Sequence, residues 1–372
     1  MYSARLTLIL TAAGFCSAAA TRAETPPPAP SIPPTLDHCA AIGAPTDRLA
    51  CYDALAGRSP AAAASAAAAA PPDSAASTPP STSLLAPKNA VPSEAATEPS
   101  SLLSKYWELD PADKRGIFNF VGYRPNYVLP VHYTTRINRS PSSPTQAAVL
   151  QPDYKREEAK FQLSLRTKVA QDVLLPGADV WLAFTQQAFW QIWNGADSKP
   201  FRNTDYQPEA IYLVPTTKSW RDLPFGWQWR YTQFGLAHQS NGQSDPLSRS
   251  WNRVYVGAGF ERGDWSFTAR WNQRLNEPIA SDNNPDLQHY IGRGEFELSW
   301  AQGRQTASVL LRSNLNTAKR GSVQLEYTYP VFRDQPNGLR WYAQVFSGYG
   351  ETLTDYNFFQ SSVGLGVTFL QF

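Results

Sequence analysis

The residues from His238 to Asn252, with the sequence HQSNGQSDPLSRSWN, combine side chains that could catalyse acyl transfer. An imidazole stands two positions before the hydroxyl of Ser240, and a carboxamide closes the stretch. An imidazole can remove the proton of a hydroxyl nucleophile, and a third polar group can hold the imidazole in one orientation. We therefore treat Ser240 as a candidate nucleophile, His238 as its base and Asn252 as the orienting group.

The same residues could also form an ordinary polar hairpin loop, because polar side chains are common where a hairpin turns. A His-x-Ser spacing by itself is a weak signal. The other histidines, His38, His132 and His289, have no matching serine and aspartate or asparagine nearby. The direction in which the three side chains point therefore decides between a loop and a catalytic site.

Alternation along the flanking segments predicts that direction. His238 and Ser240 continue an apolar row that includes Leu236 on the strand entering the stretch, and Asn252 continues a row that includes Val254 on the strand leaving it. Side chains two apart on a strand share a face, and opposite residues of a hairpin are close neighbours. All three polar groups are therefore expected on one apolar, outward face, where a polar side chain is costly unless it serves a function.

The elements that position this face are short alternating segments, which continue from about residue 101 to the end of the chain. We assign twelve of them near 118–131, 158–168, 179–192, 205–216, 227–240, 248–261, 264–275, 290–301, 305–313, 322–329, 339–350 and 356–370. The chain also contains 12 Trp, 17 Tyr and 18 Phe. An even number of such strands, rich in aromatic residues, is typical of a transmembrane barrel. We predict an all-β fold, an antiparallel transmembrane β-barrel of about twelve strands.

A secreted β-sandwich is the alternative fold, since it uses similar strands. It accounts poorly for Arg249, Arg253, Glu326 and Arg340, which face away from the apolar rows. A barrel lumen provides a polar interior for such side chains. The terminal aromatic, Phe372, also supports the barrel.

The first hundred residues divide into three parts. Residues 1–23 have the basic, apolar and small-residue order of a cleavable signal peptide. Residues 24–57 include a small helical segment with Cys39 and Cys51, for which a single disulfide is expected in an oxidising compartment. Residues 58–100 are an Ala, Pro and Ser linker whose composition predicts disorder. The barrel domain then spans 101–372.

Composition and hydropathy restrict the partners and the location. The formal net charge of +2 over 372 residues gives no indication of nucleic acid binding. After residue 23 there is no apolar run of about 18 residues, so the sequence offers no transmembrane helix. We expect the barrel in the bacterial outer membrane, with the amino-terminal segment in the periplasm.

The sequence resembles a known family, outer membrane phospholipase A. The similarity lies in HQSNGQSDPLSRSWNRVY together with KFQLSLR, TQQAFWQ, PFRNTDYQPE and FSGYGETLTDYNF, and it covers about 101–372. The resemblance implies a twelve-stranded barrel that hydrolyses acyl esters of phospholipids (A1, A2 and lysophospholipase activity), depends on Ca²⁺ and is active as a homodimer. It assigns Ser240, His238 and Asn252 the roles given above.

The resemblance also implies the remaining site residues. The backbone N–H of Gly242 would form the oxyanion hole, and Ca²⁺ would bind the Ser248 side chain and the backbone carbonyl of residue 243. Asp245 would add charge, and Ser198 of the partner subunit would complete the shell. This chain has Gln243 where the family commonly has arginine, which changes the local charge.

The resemblance further places Gln186 at the dimer interface. Gln186 lies in an otherwise apolar row with Leu182 and Phe184, so its amide faces lipid unless a second subunit covers it. Two other functions remain open at this stage: a non-catalytic channel or scaffold barrel, and a soluble secreted lipase.

Overall fold

The computed structural model describes residues 35–55, 101–315, 320–336 and 338–369. The chain divides into two compact units, Met1–Pro92 and Ser93–Phe372. The predicted signal peptide, the predicted linker 58–100 and the terminal Phe372 lie outside the described residues. The domain boundaries therefore stay predictions.

Two short helices are described in the first unit, α1 (Leu36–Ala40) and α2 (Pro45–Leu55). Thr35 caps α1 by accepting a hydrogen bond from the backbone N–H of His38. A disulfide joins Cys39 to Cys51, with 5.5 Å between their Cα atoms. The disulfide links one helix to the other, and Cys39 is fully buried.

The described part of the second unit is built mainly from strands. In chain order they are β1 (Phe120–Gly122), β2 (Asn126–Thr134), β3 (Glu157–Ala170), β4 (Asp179–Trp190), β5 (Phe201–Pro215), β6 (Gln228–Ser240), β7 (Ser250–Arg262), β8 (Trp265–Arg274), β9 (Gly294–Gln302), β10 (Gln305–Ser313), β11 (Gly321–Pro330), β12 (Arg340–Gly348) and β13 (Gln360–Phe369). The helices described here are α3 (Leu102–Trp107), α4 (Lys218–Arg221) and α5 (Leu287–Ile291), with 3-10 turns at Pro111–Asp113, Gly195–Asp197 and Pro224–Gly226. None of the described helices is long and apolar enough to cross a membrane.

Strands β2 to β13 pair in sequence with antiparallel neighbours, and β13 pairs back with β2. The closing seam brings Val363 opposite Tyr133. Closure removes the unpaired strand edges of the sheet. An unpaired edge would be unstable in hydrocarbon, because its backbone N–H and C=O groups would have no hydrogen-bond partners. The prediction of an all-β, twelve-stranded antiparallel barrel is confirmed.

The predicted first strand, 118–131, is wrong as a continuous element. It is divided into β1 and β2, and both pair with β3 at different points along its length. Pro125 lies in the break and has no N–H to donate to a ladder. The side chain of Asn126 replaces the missing ladder bonds, because its amide accepts from the N–H of Ser164 at 2.6 Å and donates to the Ser164 carbonyl at 3.1 Å.

Side chains alternate between the outer wall and the lumen, with local register shifts such as the one between Leu129 and His132 of β2. Leu236 and Val254 are 52% and 41% exposed on the outer wall, whereas Arg253 and Arg340 are buried in the lumen. The predicted rows of the sequence therefore have the predicted faces. Leucine, valine and aromatic side chains make up much of the outer wall, as expected of a surface that contacts acyl chains.

The loops that join the strands differ in length between the two ends of the barrel. Turns of two residues connect β7 to β8 and β9 to β10 at one end. The opposite end, which we call the long-loop end, carries the loops 135–156, 191–200, 241–249, 275–286 and 349–359. The candidate catalytic stretch occupies one of these loops and the strand ends beside it.

Packed side chains fill much of the lumen. At the short-turn end, α3 places Trp107 against Trp181, Tyr123 and Tyr231, with ring centroids about 6 Å apart. A cavity of about 440 Å³ lies in the remaining interior, and its lining extends from Tyr106 and Trp107 at the short-turn end to Glu351 at the long-loop end. The barrel wall thus rests on a packed interior that can hold its outer side chains in fixed positions.

Candidate active site

His238 of β6 and Asn252 of β7 face each other on the outer wall. They are direct partners in the strand register, and Nδ1 of His238 lies 2.9 Å from Oδ1 of Asn252. Because a carboxamide oxygen only accepts hydrogen bonds, this contact requires the imidazole proton on Nδ1. The lone pair of Nε2 is then available to accept a proton. The pair has the arrangement of a general base held in one tautomer.

Ser240 is the last residue of β6 and shares the outward face with His238. Two positions along a strand correspond to about 6.5 to 7 Å between Cα atoms, a separation that side chains can bridge. Among the hydrogen bonds of the described residues, none joins Ser240 Oγ to His238 Nε2. The structure therefore places the two groups side by side without a direct bond, and such contacts are often long in sites without substrate.

Gly242 follows Ser240 after one residue and adopts a left-handed conformation with φ of +62°. A Cβ atom at this position would lie 3.1 Å from the ring of Tyr206. A glycine avoids both the conformational strain and the close approach. The backbone N–H of Gly242 donates to no described residue, so it is free to bind an anionic oxygen.

Asn241 organises the loop 241–249 from the lumen side, a role that the sequence analysis missed. Its Oδ1 accepts hydrogen bonds from the backbone N–H groups of Gln243 at 3.3 Å and Arg249 at 2.9 Å. Its Nδ2 donates to the carbonyl of Leu247 at 2.8 Å and to Thr354 Oγ1 at 3.0 Å. Asn241 is buried, and one side chain therefore ties both ends of the loop to the barrel interior.

The loop 349–359 supports this arrangement from inside the barrel mouth. Asp355 accepts hydrogen bonds from Arg202 and from Asn138, the latter at 2.9 Å, and Thr354 bonds to Asn203. These contacts join the start of β5 to the loop after β2 and to the loop 349–359. Buried hydrogen bonds of this kind rigidify the segment that they hold.

A second histidine contact of the barrel, between His132 and Glu351, lies in the lumen. His132 Nε2 lies 3.1 Å from Glu351, and Lys160 lies 2.9 Å from the same carboxylate. Burial alone would raise the pKa of Glu351, but Lys160 and His132 hold it well below its ordinary value. No serine hydroxyl bonds to the imidazole in this cluster of His132, Lys160 and Glu351. We interpret the cluster as a structural ion network.

The residues assigned to Ca²⁺ by resemblance lie together on the loop 241–249. The backbone carbonyl of Gln243 accepts no hydrogen bond from a described residue, and the Oε1 atom of the same residue is buried without a partner. The hydroxyl of Ser248 also has no described partner, while its backbone N–H donates to Ser244. Asp245 is exposed beside them. These are uncharged hard oxygen donors next to one carboxylate, a set that suits Ca²⁺.

The described residues contain no cluster of three or more His, Cys, Asp or Glu side chains able to hold a metal ion. This finding does not conflict with the donor set above, because hydroxyl and carbonyl oxygens make up most of it. The donors from one chain are too few for the six to eight ligands that Ca²⁺ takes. Further ligands must come from water or from another molecule.

Ser198 and Gln186 lie on the part of the barrel that precedes the catalytic hairpin. Ser198 follows the 3-10 turn Gly195–Asp197 in the loop between β4 and β5, at the same end as the loop 241–249. Gln186 is on the outer wall of β4, opposite Leu163 and Tyr206. Its side-chain amide forms no hydrogen bond with a described residue. No hydrogen bond among the described residues joins either side chain to His238 or Asn252.

Glu277 is a further residue that the sequence analysis did not identify. It lies in the loop 275–286, and its Oε1 accepts a hydrogen bond from Nδ2 of Asn252 at 3.2 Å. The sequence signal was weak, because Glu277 is 25 residues from Asn252 and lies outside any alternating segment. The hydrogen-bonded pair of His238 and Asn252 is therefore extended by a carboxylate.

Comparisons with known proteins agree with this geometry. The phospholipase A1 family profile matches residues 103–369. The chain is 36% identical over 362 residues to a protein of Neisseria meningitidis serogroup B assigned as a phospholipase A1, which covers 92% of this chain and 93% of that protein. It is 38% identical over 215 residues to phospholipase A1 of Escherichia coli, covering 57% of this chain and 70% of the relative.

Solved structures give the same result for the fold. The barrel is similar to the Salmonella typhi outer membrane phospholipase dimer with bound calcium, with 33% identity, a TM-score of 0.60, and 68% of this chain and 92% of that chain covered. It is also similar to an active-site mutant of the Escherichia coli outer membrane phospholipase A, with 32% identity, a TM-score of 0.60, and coverage of 69% and 95%.

Proposed function

Because this chain belongs to the outer membrane phospholipase A1 family, we propose that it hydrolyses phospholipid acyl esters with Ser240 as nucleophile. In this proposal His238 is the general base, Asn252 orients it, and Ca²⁺ and a second copy of the chain complete the site. The protein is a phospholipase enzyme with an outer-membrane barrel fold. The mechanism, the metal requirement and the dimer are the proposed parts.

The reaction begins when Nε2 of His238 takes the hydroxyl proton of Ser240 while Oγ attacks the ester carbonyl carbon. His238 then gives this proton to the departing alcohol oxygen of the lysophospholipid, and the acyl group remains on Ser240. A water molecule, deprotonated by His238, attacks the acyl-enzyme and releases the fatty acid. His238 finally passes the proton taken from water to Oγ of Ser240, which restores the free enzyme, while the original hydroxyl proton has left on the lysophospholipid.

Asn252 and Gly242 act on the charges that develop in this cycle. The carboxamide of Asn252 keeps the proton on Nδ1 of His238 and stabilises the imidazolium by a dipole. A carboxylate at this outer-wall position would cost more to desolvate, which favours the neutral group. The free N–H of Gly242 is the candidate donor to the oxyanion.

For Ca²⁺, the candidate ligands of one subunit are the carbonyl of Gln243 and the hydroxyl of Ser248, with Asp245 adding negative charge. Ser198 is the candidate ligand from the other copy of the chain, since it lies at the same end of the barrel. Bound Ca²⁺ would supply positive charge beside the developing oxyanion. The buried, unpartnered Oε1 of Gln243 is a further oxygen available near this set.

The outer wall next to the catalytic pair is suited to a lipid substrate. A cavity of about 550 Å³ lies along it, lined by apolar side chains that include Leu236, Val254, Phe234 and Trp271. Leu236 and Val254 are the next outward residues after His238 and Asn252. An acyl chain lying there would bring its ester to the polar end of the hairpin. Substrate would thus arrive laterally from the membrane.

The homodimer is supported by the position of Gln186. Leaving an amide without a hydrogen-bond partner in hydrocarbon costs at least about 2 kcal/mol. Burial against its twin in a second barrel would satisfy this amide. The same contact would bring Ser198 of the partner subunit toward the site, so that the monomer would lack part of the calcium shell.

The observation that carries the proposal is the hydrogen bond between His238 and Asn252 on the outer wall. It is tested by fatty-acid release from phospholipid in mixed micelles, with calcium and with a chelator. Chelation and Ser240→Ala should each abolish release. Ser250→Ala is the matched control, since Ser250 lies directly opposite Ser240 on β7. This variant should release fatty acid as the wild type does. Release that persists in Ser240→Ala would defeat the mechanism.

A further inference from the structure

Glu277 extends the candidate relay beyond Asn252, and nothing in the assigned roles uses it. The chain of contacts runs from His238 Nδ1 to Asn252 Oδ1 at 2.9 Å, and from Asn252 Nδ2 to Glu277 Oε1 at 3.2 Å. Resting on the proposed function, we propose that Glu277 is a positioning residue that fixes the amide of Asn252 and, through it, the orientation and tautomer of His238.

The first part of the argument is geometric. A carboxamide can turn about its last bond and present either its oxygen or its NH₂ group to the imidazole. A carboxylate accepts hydrogen bonds and cannot donate, so Glu277 binds only the NH₂ side of Asn252. The oxygen is then directed at His238. This selects the tautomer in which Nε2 is free to accept the proton of Ser240.

The second part is electrostatic. Asn252 is neutral, so by itself it stabilises the imidazolium only through its dipole. The charge of Glu277 polarises this dipole through the hydrogen bond and adds a negative potential at the imidazole. Glu277 is half-buried in a loop at the barrel rim, where water still solvates it in part. The carboxylate is thus kept away from the lipid-facing row, and its field still reaches His238.

The loop that carries Glu277 is fastened to the catalytic strand on both sides of the site. The backbone N–H of Leu275 donates to the carbonyl of Asn252 at 2.8 Å, and the N–H of Ser250 donates to Asn284 Oδ1 at 3.1 Å. Arg274 anchors the same loop by bonds to Asp282 and to the carbonyl of Asn284, at 2.7 and 2.6 Å. Glu277 also forms no ion pair with a described cation, so its carboxylate has no competing partner of that kind.

The test compares Glu277→Gln, Glu277→Ala and wild type at saturating calcium in phospholipid mixed micelles. Glu277→Gln keeps an acceptor oxygen but loses the charge, and should lower kcat several-fold. Glu277→Ala loses both and should lower kcat by about tenfold or more, with KM changed less than about twofold. The acidic limb of the kcat/KM profile should move to lower pH in both, by about half a unit, because the imidazole loses a nearby anion.

The matched control is Glu157→Ala, an exposed glutamate at the same end of the barrel with no assigned role. It should leave kcat and the pH profile unchanged. If Glu277→Ala behaves like this control, the inference is wrong. It is also wrong if kcat falls together with the melting temperature while the acidic limb stays in place, because that result describes a purely structural loop contact.

A second variant pair keeps the inference testable if removal of Glu277 loosens the loop. Asn252→Asp alone sets two carboxylates against each other and should be nearly inactive. In a Glu277→Gln background the new aspartate gains an amide donor, and activity should rise above that of the single variant. Additive losses would overturn the inference. The proposed function, and the inference with it, would instead be refuted by a wild-type protein that shows neither calcium-dependent fatty-acid release nor labelling of Ser240 by a sulfonyl fluoride.

Discussion

Gln186 and Ser240 occupy the same row of side chains on the outer wall, and Tyr206 is the cross-strand partner of both. Adjacent strands lie about 4.8 Å apart, so the two residues are separated by about 10 Å across the sheet. A second barrel that covers Gln186 therefore also borders the catalytic site. This relationship links the proposed dimer to the proposed chemistry by position alone.

The first prediction concerns that amide. Gln186→Ala should weaken the proposed dimer, measured in the presence of calcium, by about 1 kcal/mol, roughly fivefold in the dimer dissociation constant, because it removes a hydrogen-bonding group from a lipid-facing contact. Chemical cross-linking in detergent at graded protein concentration measures the effect. Gln187→Ala is the matched control, since the side chain of Gln187 points into the lumen and bonds to Tyr127 at 3.1 Å. Equal dimer formation in both variants would contradict the assigned interface.

Much of this site could be predicted from the sequence, because side-chain direction on a strand is a local property. The alternation around His238, Ser240 and Asn252 fixed their common face before any long-range contact was known. Glu277 and Asn241 were missed for the converse reason. Glu277 contacts Asn252 from a loop without periodicity, and the partners of Asn241 include Thr354, 113 residues away.

The error in the first strand has a simpler origin. The residues around Pro125 continue the aromatic and apolar composition of a strand, and composition alone does not reveal a break. The missing N–H of Pro125 was the available signal, since proline is disfavoured within a paired strand. The compensating bonds from Asn126 to Ser164 depend on a neighbouring strand and could not be inferred from the segment itself.

The second prediction addresses the oxyanion donor. Gly242→Ala should lower kcat by about 10²-fold, because a side chain at φ of +62° strains the backbone and meets Tyr206, displacing the N–H. Steady-state hydrolysis of a micellar phospholipid measures the change. Gly263→Ala is the control, with φ of +54° and nothing within 4 Å of its added Cβ, in the turn after β7. A similar loss of activity in both would mean that general backbone strain, and not the site, is responsible.

The third prediction concerns the buried support of the loop 241–249. Asn241→Ala leaves the N–H groups of Gln243 and Arg249 without their acceptor, which costs about 1 to 3 kcal/mol per buried group. The loop should loosen, and the calcium concentration for half-maximal activity should rise. Thr354→Val removes only one of the four hydrogen bonds of Asn241, together with the bond from Thr354 to Asn203, and should have a smaller effect in the same direction.

A calcium titration of fatty-acid release checks this order. Asn283→Ala serves as control, because Asn283 is at the same end of the barrel and its Oδ1 accepts a hydrogen bond from Gln146, outside the loop 241–249. Its calcium dependence should match wild type. If Asn241→Ala retains wild-type calcium dependence, the loop is held by other contacts and the role given to Asn241 is wrong.

The last prediction is a pH dependence that arises in the lumen. Glu351 lies in the loop 349–359, and Lys160 and His132 hold its pKa below the ordinary value of 4.5. A carboxylate with a depressed pKa in the folded state stabilises the protein above the pKa of the unfolded chain, and this contribution disappears as pH falls toward the folded value. Thermal stability of the barrel should therefore decline below about pH 4.5.

Glu351→Gln should lose that part of the pH dependence and be less stable at neutral pH, because Lys160 remains buried without its anion. The double variant Glu351→Gln with Lys160→Met should recover part of the neutral-pH loss, as measured by the temperature at which the barrel changes its migration on unboiled gels. An unchanged acid profile in Glu351→Gln would assign the acid sensitivity to other carboxylates.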